Sequence, residues 1–152
     1  MTNDYFLITT AIKTGKASRN QFQEKFAIAL DSFFVKDNPL VDVNELNLLL
    51  QTAKKENIKA EALIEAANEI DSTLLYKAKT YKMFKLLDTQ YNITYPEILG
   101  IMGSKAKNKK DAIAKIIVTA VDALKIQVKD VVYTADAVVK KYKIKLVEIV
   151  SP

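Results

Sequence analysis

The chain contains neither cysteine nor histidine. Without cysteine there is no disulfide framework, no thiolate metal site and no cysteine nucleophile. Without histidine the usual zinc sites and the Ser-His and Cys-His pairs are excluded too, along with the commonest general base near neutral pH. Any metal would need a site built from oxygen alone, and the carboxylates do not supply one. Glu61, Glu65 and Glu69 share a helix face at i, i+4 spacing. The di-iron pattern they would serve also needs Glu-x-x-His, so they read as a solvated acidic face. Asp42-Val43-Asn44 begins like a calcium loop, but Asn47 stands where that loop needs glycine. Gly100-Ile101-Met102-Gly103 lacks the Gly-Lys-Ser/Thr ending of a phosphate loop. No catalytic residue, metal or cofactor is expected, and the chain reads as a non-enzymatic binding protein.

Long apolar runs are also missing. The longest candidate, Ile116-Ile117-Val118-Thr119-Ala120-Val121, is closed by Lys115 and Asp122, well short of the roughly 20 residues that span a membrane. The start, Met1-Thr2-Asn3-Asp4-Tyr5-Phe6, has no basic region ahead of an apolar stretch, as a secretory signal would. The expectation is a cytoplasmic protein, or one inside a virion or nucleoid, that is not secreted and has no membrane partner.

Three glycines and three prolines in 152 residues favour helices joined by short connections. With 49% apolar and 27% charged residues the chain can bury a core of its own. The predicted class is all-α, a compact bundle of five to seven helices in one unit, or two lobes divided near residues 89–94. Residues 1–90 would be an acidic part carrying core and a possible oligomer contact, and residues 91–152 a basic part.

Along the chain, Asp4 is placed as a cap for a helix ending near Gly15. Ser18 and Gln21 have capping-box spacing, as do Asp42 and Glu45, and Thr94 and Glu97. Asp37-Asn38-Pro39 reads as a turn. A helical pattern from about Lys59 to Thr89 has a candidate break at Asp71-Ser72-Thr73. Ile113, Ile116, Ile117, Ala120 and Leu124 mark one later helix, and Val128, Val131, Ala135, Val139 and Tyr142 a final one. The tail from Lys143 to Val150 fits helix better than strand.

Charge is unevenly spread. Residues 1–76 hold eight basic and eleven acidic side chains, a net of −3, and residues 77–152 hold fifteen and seven, a net of +8. Three lysine groups stand out: Lys77, Lys79, Lys82 and Lys85, interleaved with Tyr76 and Tyr81; Lys105, Lys107, Lys109 and Lys110; and Lys140, Lys141, Lys143 and Lys145. Such groups can neutralise phosphates, while tyrosines can stack on bases. Arg19 is the one arginine, and lysine is poor at bidentate base reading, so phosphate contact without sequence specificity is the form expected.

Tyr95, Ile98 and Leu99 before Gly103, then Lys110, Ile113 and Ile117, resemble the SAP-type helix–extended loop–helix DNA-binding module over about 23 residues. The resemblance implies Lys105, Lys107, Lys109 and Lys110 as phosphate contacts. The chain departs from it at Ser104, where the family prefers leucine, and at Asn108, which replaces the loop glycine. A standard helix-turn-helix is disfavoured by Ser104 and Lys109 at positions that should be apolar.

The leading functional expectation is therefore association with nucleic acid through Lys77, Lys82, Lys85, Lys105, Lys107, Lys109, Lys110, Lys140 and Lys141. The alternative is a protein–protein interaction module (adaptor, inhibitor or assembly component, with a homo-oligomer among its forms) using Phe33, Phe34 and Leu48 as anchors, since aromatic residues dominate hot spots. The arrangement of the lysines discriminates the two. Convergence on one surface favours nucleic acid, and scatter favours the protein partner.

Overall fold

The computed structural model describes residues 2–35, 43–104 and 107–146. Among these every regular element is helical, and no strand occurs. The chain runs through α1 (Thr2–Lys13), α2 (Lys16–Phe34), α3 (Val43–Ala66), α4 (Tyr76–Thr89), a π-helical turn (Gln90–Thr94), α5 (Tyr95–Met102) and α6 (Lys109–Tyr142). The all-α expectation holds. The expected count of five to seven helices is corrected: four long helices, α2, α3, α4 and α6, carry the bundle, with 12-residue α1 and 8-residue α5 beside them.

The main reduction comes from α6. Its 34 residues contain no glycine or proline, so nothing interrupts the i to i−4 ladder and the two helices expected on either side of Val128 are one. The ladder stops at Lys143, whose left-handed conformation lets the Ile144 amide reach back to the Val139 carbonyl at 3.1 Å. Ile144 then tucks in as a buried residue, the hydrophobic contact that accompanies this kind of helix end. Residues 144–146 are accordingly not helical, contrary to the expected continuation. Residues 147–150, the Asp37-Asn38-Pro39 turn and the Asp42 cap lie outside the described residues.

Two other expected caps are not used. The chain enters α2 through Gly15, not Ser18, at φ 78°, with no side-chain cap. Thr94 is helical because α4, the π turn and α5 form continuous helical backbone from Tyr76 to Met102. Pro96 explains the widened turn ahead of it: it has no N–H for the Asn92 carbonyl, so the local ladder must re-pair. The predicted break at Asp71 is real. Asp71 accepts the Thr73 and Leu74 amides at 2.8 Å each, turning the chain between α3 and α4.

Packing follows the apolar spacing. Phe22 and Phe26 of α2 stack at 5.6 Å, and Tyr95 meets both edge-on at 4.8 and 5.1 Å. This cluster joins the N-terminal helices to the segment around the π turn. Leu46, Leu50, Ala53, Ala60 and Ile64 of α3 fill the centre, with Met83, Phe84 and Leu87 of α4 also in the core. Val131, Thr134 and Val138 of α6 are buried as well, on the helix that packs along α4.

Gly15 is held by two constraints. Its φ is left-handed, and an added Cβ would stand 2.9 Å from Cβ of Glu56 on α3. Gly15→Ala is expected to lower stability by about 2 kcal/mol, combining left-handed strain with the forced shift of α2 against α3. Urea unfolding of the two proteins checks this.

Candidate interaction surface

Most of the nominated lysines are engaged within the fold. Nζ of Lys77 donates to the Ala67 and Glu65 carbonyls at 2.5 and 3.3 Å, closing the end of α3. Lys79, in the same group, pairs with Asp130 at 3.4 Å and donates to Thr134 at 3.2 Å, tying α4 to α6. Lys109 and Lys110 donate to the Met102 and Phe34 carbonyls, each at 3.4 Å, near the ends of α5 and α2. Lys77, Lys109 and Lys110 sit where a helix C-terminus attracts positive charge. Lys140 pairs with Asp136 at 2.8 Å on the open surface.

Lys141 belongs to a tighter knot. Oδ2 of buried Asp71 accepts Lys141 Nζ at 2.5 Å and the Tyr142 hydroxyl at 2.6 Å, which clasps the end of α6 to the α3–α4 turn. These two donors, then the Leu74 and Thr73 amides, hold the Asp71 carboxyl well below the usual range.

Lys85 reaches Glu61 Oε2 at 2.9 Å and Asp88 at 3.8 Å. Buried Asn57 donates to Glu61 at 3.2 Å, to Asp88 at 2.6 Å and to the Phe84 carbonyl at 3.1 Å. Glu61 is therefore no member of a solvated acidic face. Burial and the neighbouring Asp88 raise its carboxyl from 4.5 to about 7, with Lys85 pulling the other way.

Of the remaining candidates, Lys82 and Lys107 are exposed and make no ion pair among the described residues, while Lys105 lies outside them. The second and third groups do not converge. Lys110 and Lys140 stand at opposite ends of α6, about 45 Å apart at 1.5 Å per residue. The nominated protein anchors are also divided. Phe33 is buried in the core and Phe34 half-buried against it, so neither Phe33 nor the pair can serve as a protruding anchor. Leu48 is exposed, but isolated from other apolar residues of its helix surface except Ile58, more than two turns away.

Among the described residues, α6 carries more exposed large apolar side chains than any other element. Val118, Val121, Val128 and Val132 are 59, 55, 41 and 62% exposed. With Lys125 they follow alternating steps of three and four residues, which makes them one stripe along the helix. Ile126 and Tyr133, also exposed, lie about 100° further round the helix from Lys125 and Val132. Beside it runs a groove of about 560 Å³, with Val121, Leu124, Val128 and Val132 on one side and Gln23 of α2 and Tyr95 of α5 on the other. Lys125 and Lys129 line it too. Gln90, in the π turn, donates to the Ala120 carbonyl at 3.0 Å and separates this groove from a smaller one of about 370 Å³ next to Lys115.

Sequence reasoning missed this stripe because it divided α6 at Val128. The three-and-four spacing of valines across that point was the available signal. No helix among the described residues is long and apolar enough to cross a membrane, and none of their acidic residues group into a metal-binding cluster. No protein-family model, curated protein or solved structure matches the chain.

Because the chain has no histidine, Glu61 is the described group poised to titrate near neutrality. Its folded pKa is raised, so its contribution favours folding below its ordinary value and is lost as pH rises through about 7. Thermal unfolding from about pH 5 to 8 should show falling Tm with rising pH, and Glu61→Gln should flatten that slope.

Proposed function

We propose that this protein is a non-enzymatic helical interaction module that docks a protein partner along α6. The observation that carries the reading is the valine stripe with its adjoining groove. Large apolar side chains scattered singly over a surface need no explanation, but a row of them on one helix beside an apolar groove is what a partner helix packs against. Lys125 and Lys129 on the groove give the seat a cationic margin, and neither makes an ion pair among the described residues. The separation of the lysine groups, and their use as helix caps and internal pairs, further favours a protein partner.

A photoreactive benzophenone side chain placed at Val128 in the producing cell tests this. The expected product is a covalent protein adduct that a control at exposed Glu24 does not give. An adduct with nucleic acid, or none, overturns the reading.

A second reading rests on Lys82 and Lys107, exposed without an internal ion pair, and on the net +8 of residues 77–152. On that reading, lysines of the second half contact nucleic-acid phosphates by counterion release. Affinity for random-sequence DNA and RNA would then fall steeply with salt and weaken when Lys105, Lys107, Lys109 and Lys110 are replaced together. Absence of binding at low salt removes it.

A further inference from the structure

Next to the valine stripe, α6 carries a second row at seven-residue spacing: Lys115, Asp122, Lys129 and Asp136, all exposed. Seven residues are close to two helical turns, so this row follows the same line as the valines. Its charges alternate in sign. Successive members are about 10 Å apart along the axis, too far to pair with one another. Lys115, Asp122 and Lys129 make no ion pair among the described residues, and Asp136 holds only the exposed Lys140.

An alternating row of even number is complementary to itself when reversed end for end. Placed antiparallel, Lys115 of one helix comes level with Asp136 of the other, and Asp122 with Lys129; by symmetry the remaining two pairs form as well. The same register brings Val118 and Val121 of one copy level with Val128 and Val132 of the other, within about 3 Å along the axis. Placed parallel about a two-fold axis, residues on the seam meet their own counterparts, so Lys125 faces Lys125, while the charge row of each copy falls on the opposite side of the seam from the other and gains no partner.

We infer that the partner on α6 is a second copy of this chain, packed antiparallel about a two-fold axis passing close to Lys125 and Ile126. This deepens the interaction reading above and rests on it. The contact is isologous: one surface serves both copies and closes on itself as a dimer. β-branched residues along the stripe suit close helix pairing, and the lone lysine within it sets register at some loss of affinity. The aliphatic stem of Lys125 can lie over the opposing valines while its ammonium reaches solvent or Asp122 of the second copy.

Sedimentation equilibrium of the purified full chain, to about 100 µM, is expected to show a monomer–dimer equilibrium. Asp122→Lys turns two symmetry-related attractions into repulsions and should weaken the dimer about tenfold. Adding Lys129→Asp to the same chain restores opposite charges across the interface and should recover the affinity. Residues 122 and 129 are two turns apart and do not touch within one chain, so a merely structural effect would not be rescued. Helix orientation is read from Lys140→Cys, the sole cysteine in that variant, carrying a nitroxide. The antiparallel dimer gives a label separation of about 45 Å, and a parallel one less than about 20 Å.

A monomer at all concentrations, or weakening by Asp122→Lys without rescue, overturns the second-copy assignment. A short label distance overturns the antiparallel arrangement. A monomer whose Val128 benzophenone still captures another protein would sink this inference and leave the interaction reading standing. A monomer with no protein adduct would sink both.

Discussion

A helix of 34 residues points side chains in every direction around its axis, and this bundle covers α6 from one direction only. That constraint shapes the rest of the structure. Ile113, Val131, Thr134 and Val138 are buried, with Ile117 and Leu124 partly so. Three polar attachments then fix how α6 is rotated. Gln90 holds the Ala120 carbonyl, Lys79 bridges to Asp130 and Thr134, and Asp71 clasps Lys141 and Tyr142. Spaced along the helix, these contacts leave little freedom to turn the valine stripe inward. Exposure of Val118, Val121, Val128 and Val132 follows from this anchoring, not from any lack of apolar character.

The lysine-rich second half reads differently once its partners are known. A positive charge near a helix C-terminus satisfies carbonyls that have no intrahelical donor, and Lys77, Lys109 and Lys110 reach such carbonyls. Lys85 offsets two carboxylates, one of them buried. A phosphate competing for these side chains would have to displace contacts that help close the bundle. Lys125 and Lys129, by contrast, lie on the apolar groove without such duties. Charge held inside the fold and charge left for a partner are therefore carried by different lysines.

How much of this was legible in the sequence depends on the range of the interaction involved. The all-helical class followed from the scarcity of glycine and proline and from three-and-four apolar spacing, both local properties. The break at Asp71 was visible because an Asx turn is a local preference. Ser18 and Thr94 failed as caps because neighbouring residues overrode their local preference: Gly15 takes the left-handed turn against α3, and Pro96 is absorbed by a widened turn in a continuous helix. Phe33 and Phe34 resembled interface anchors in one dimension, yet whether an aromatic faces core or solvent depends on where other helices pack. The same held for the lysines, whose partners lie up to 76 residues away, as for Lys110 and Phe34. The pattern on α6 was local and could have been read, had its two halves been joined.

The composition of the α6 stripe bears on what it can pack against. A row of leucines would bury more area and bind many apolar surfaces with little discrimination. Valines broken by one lysine, flanked by charges of alternating sign, bind more weakly but tolerate few registers, because a shift by one heptad sets lysine against lysine. Such a surface resists nonspecific association through the same charges that admit a complementary partner. The attachment of its support adds to this, since the Asp71 clasp and the Gln90 contact hold α6 at two points along its length. A partner then loses freedom on docking while α6 loses little, which favours a specific contact even over a modest area.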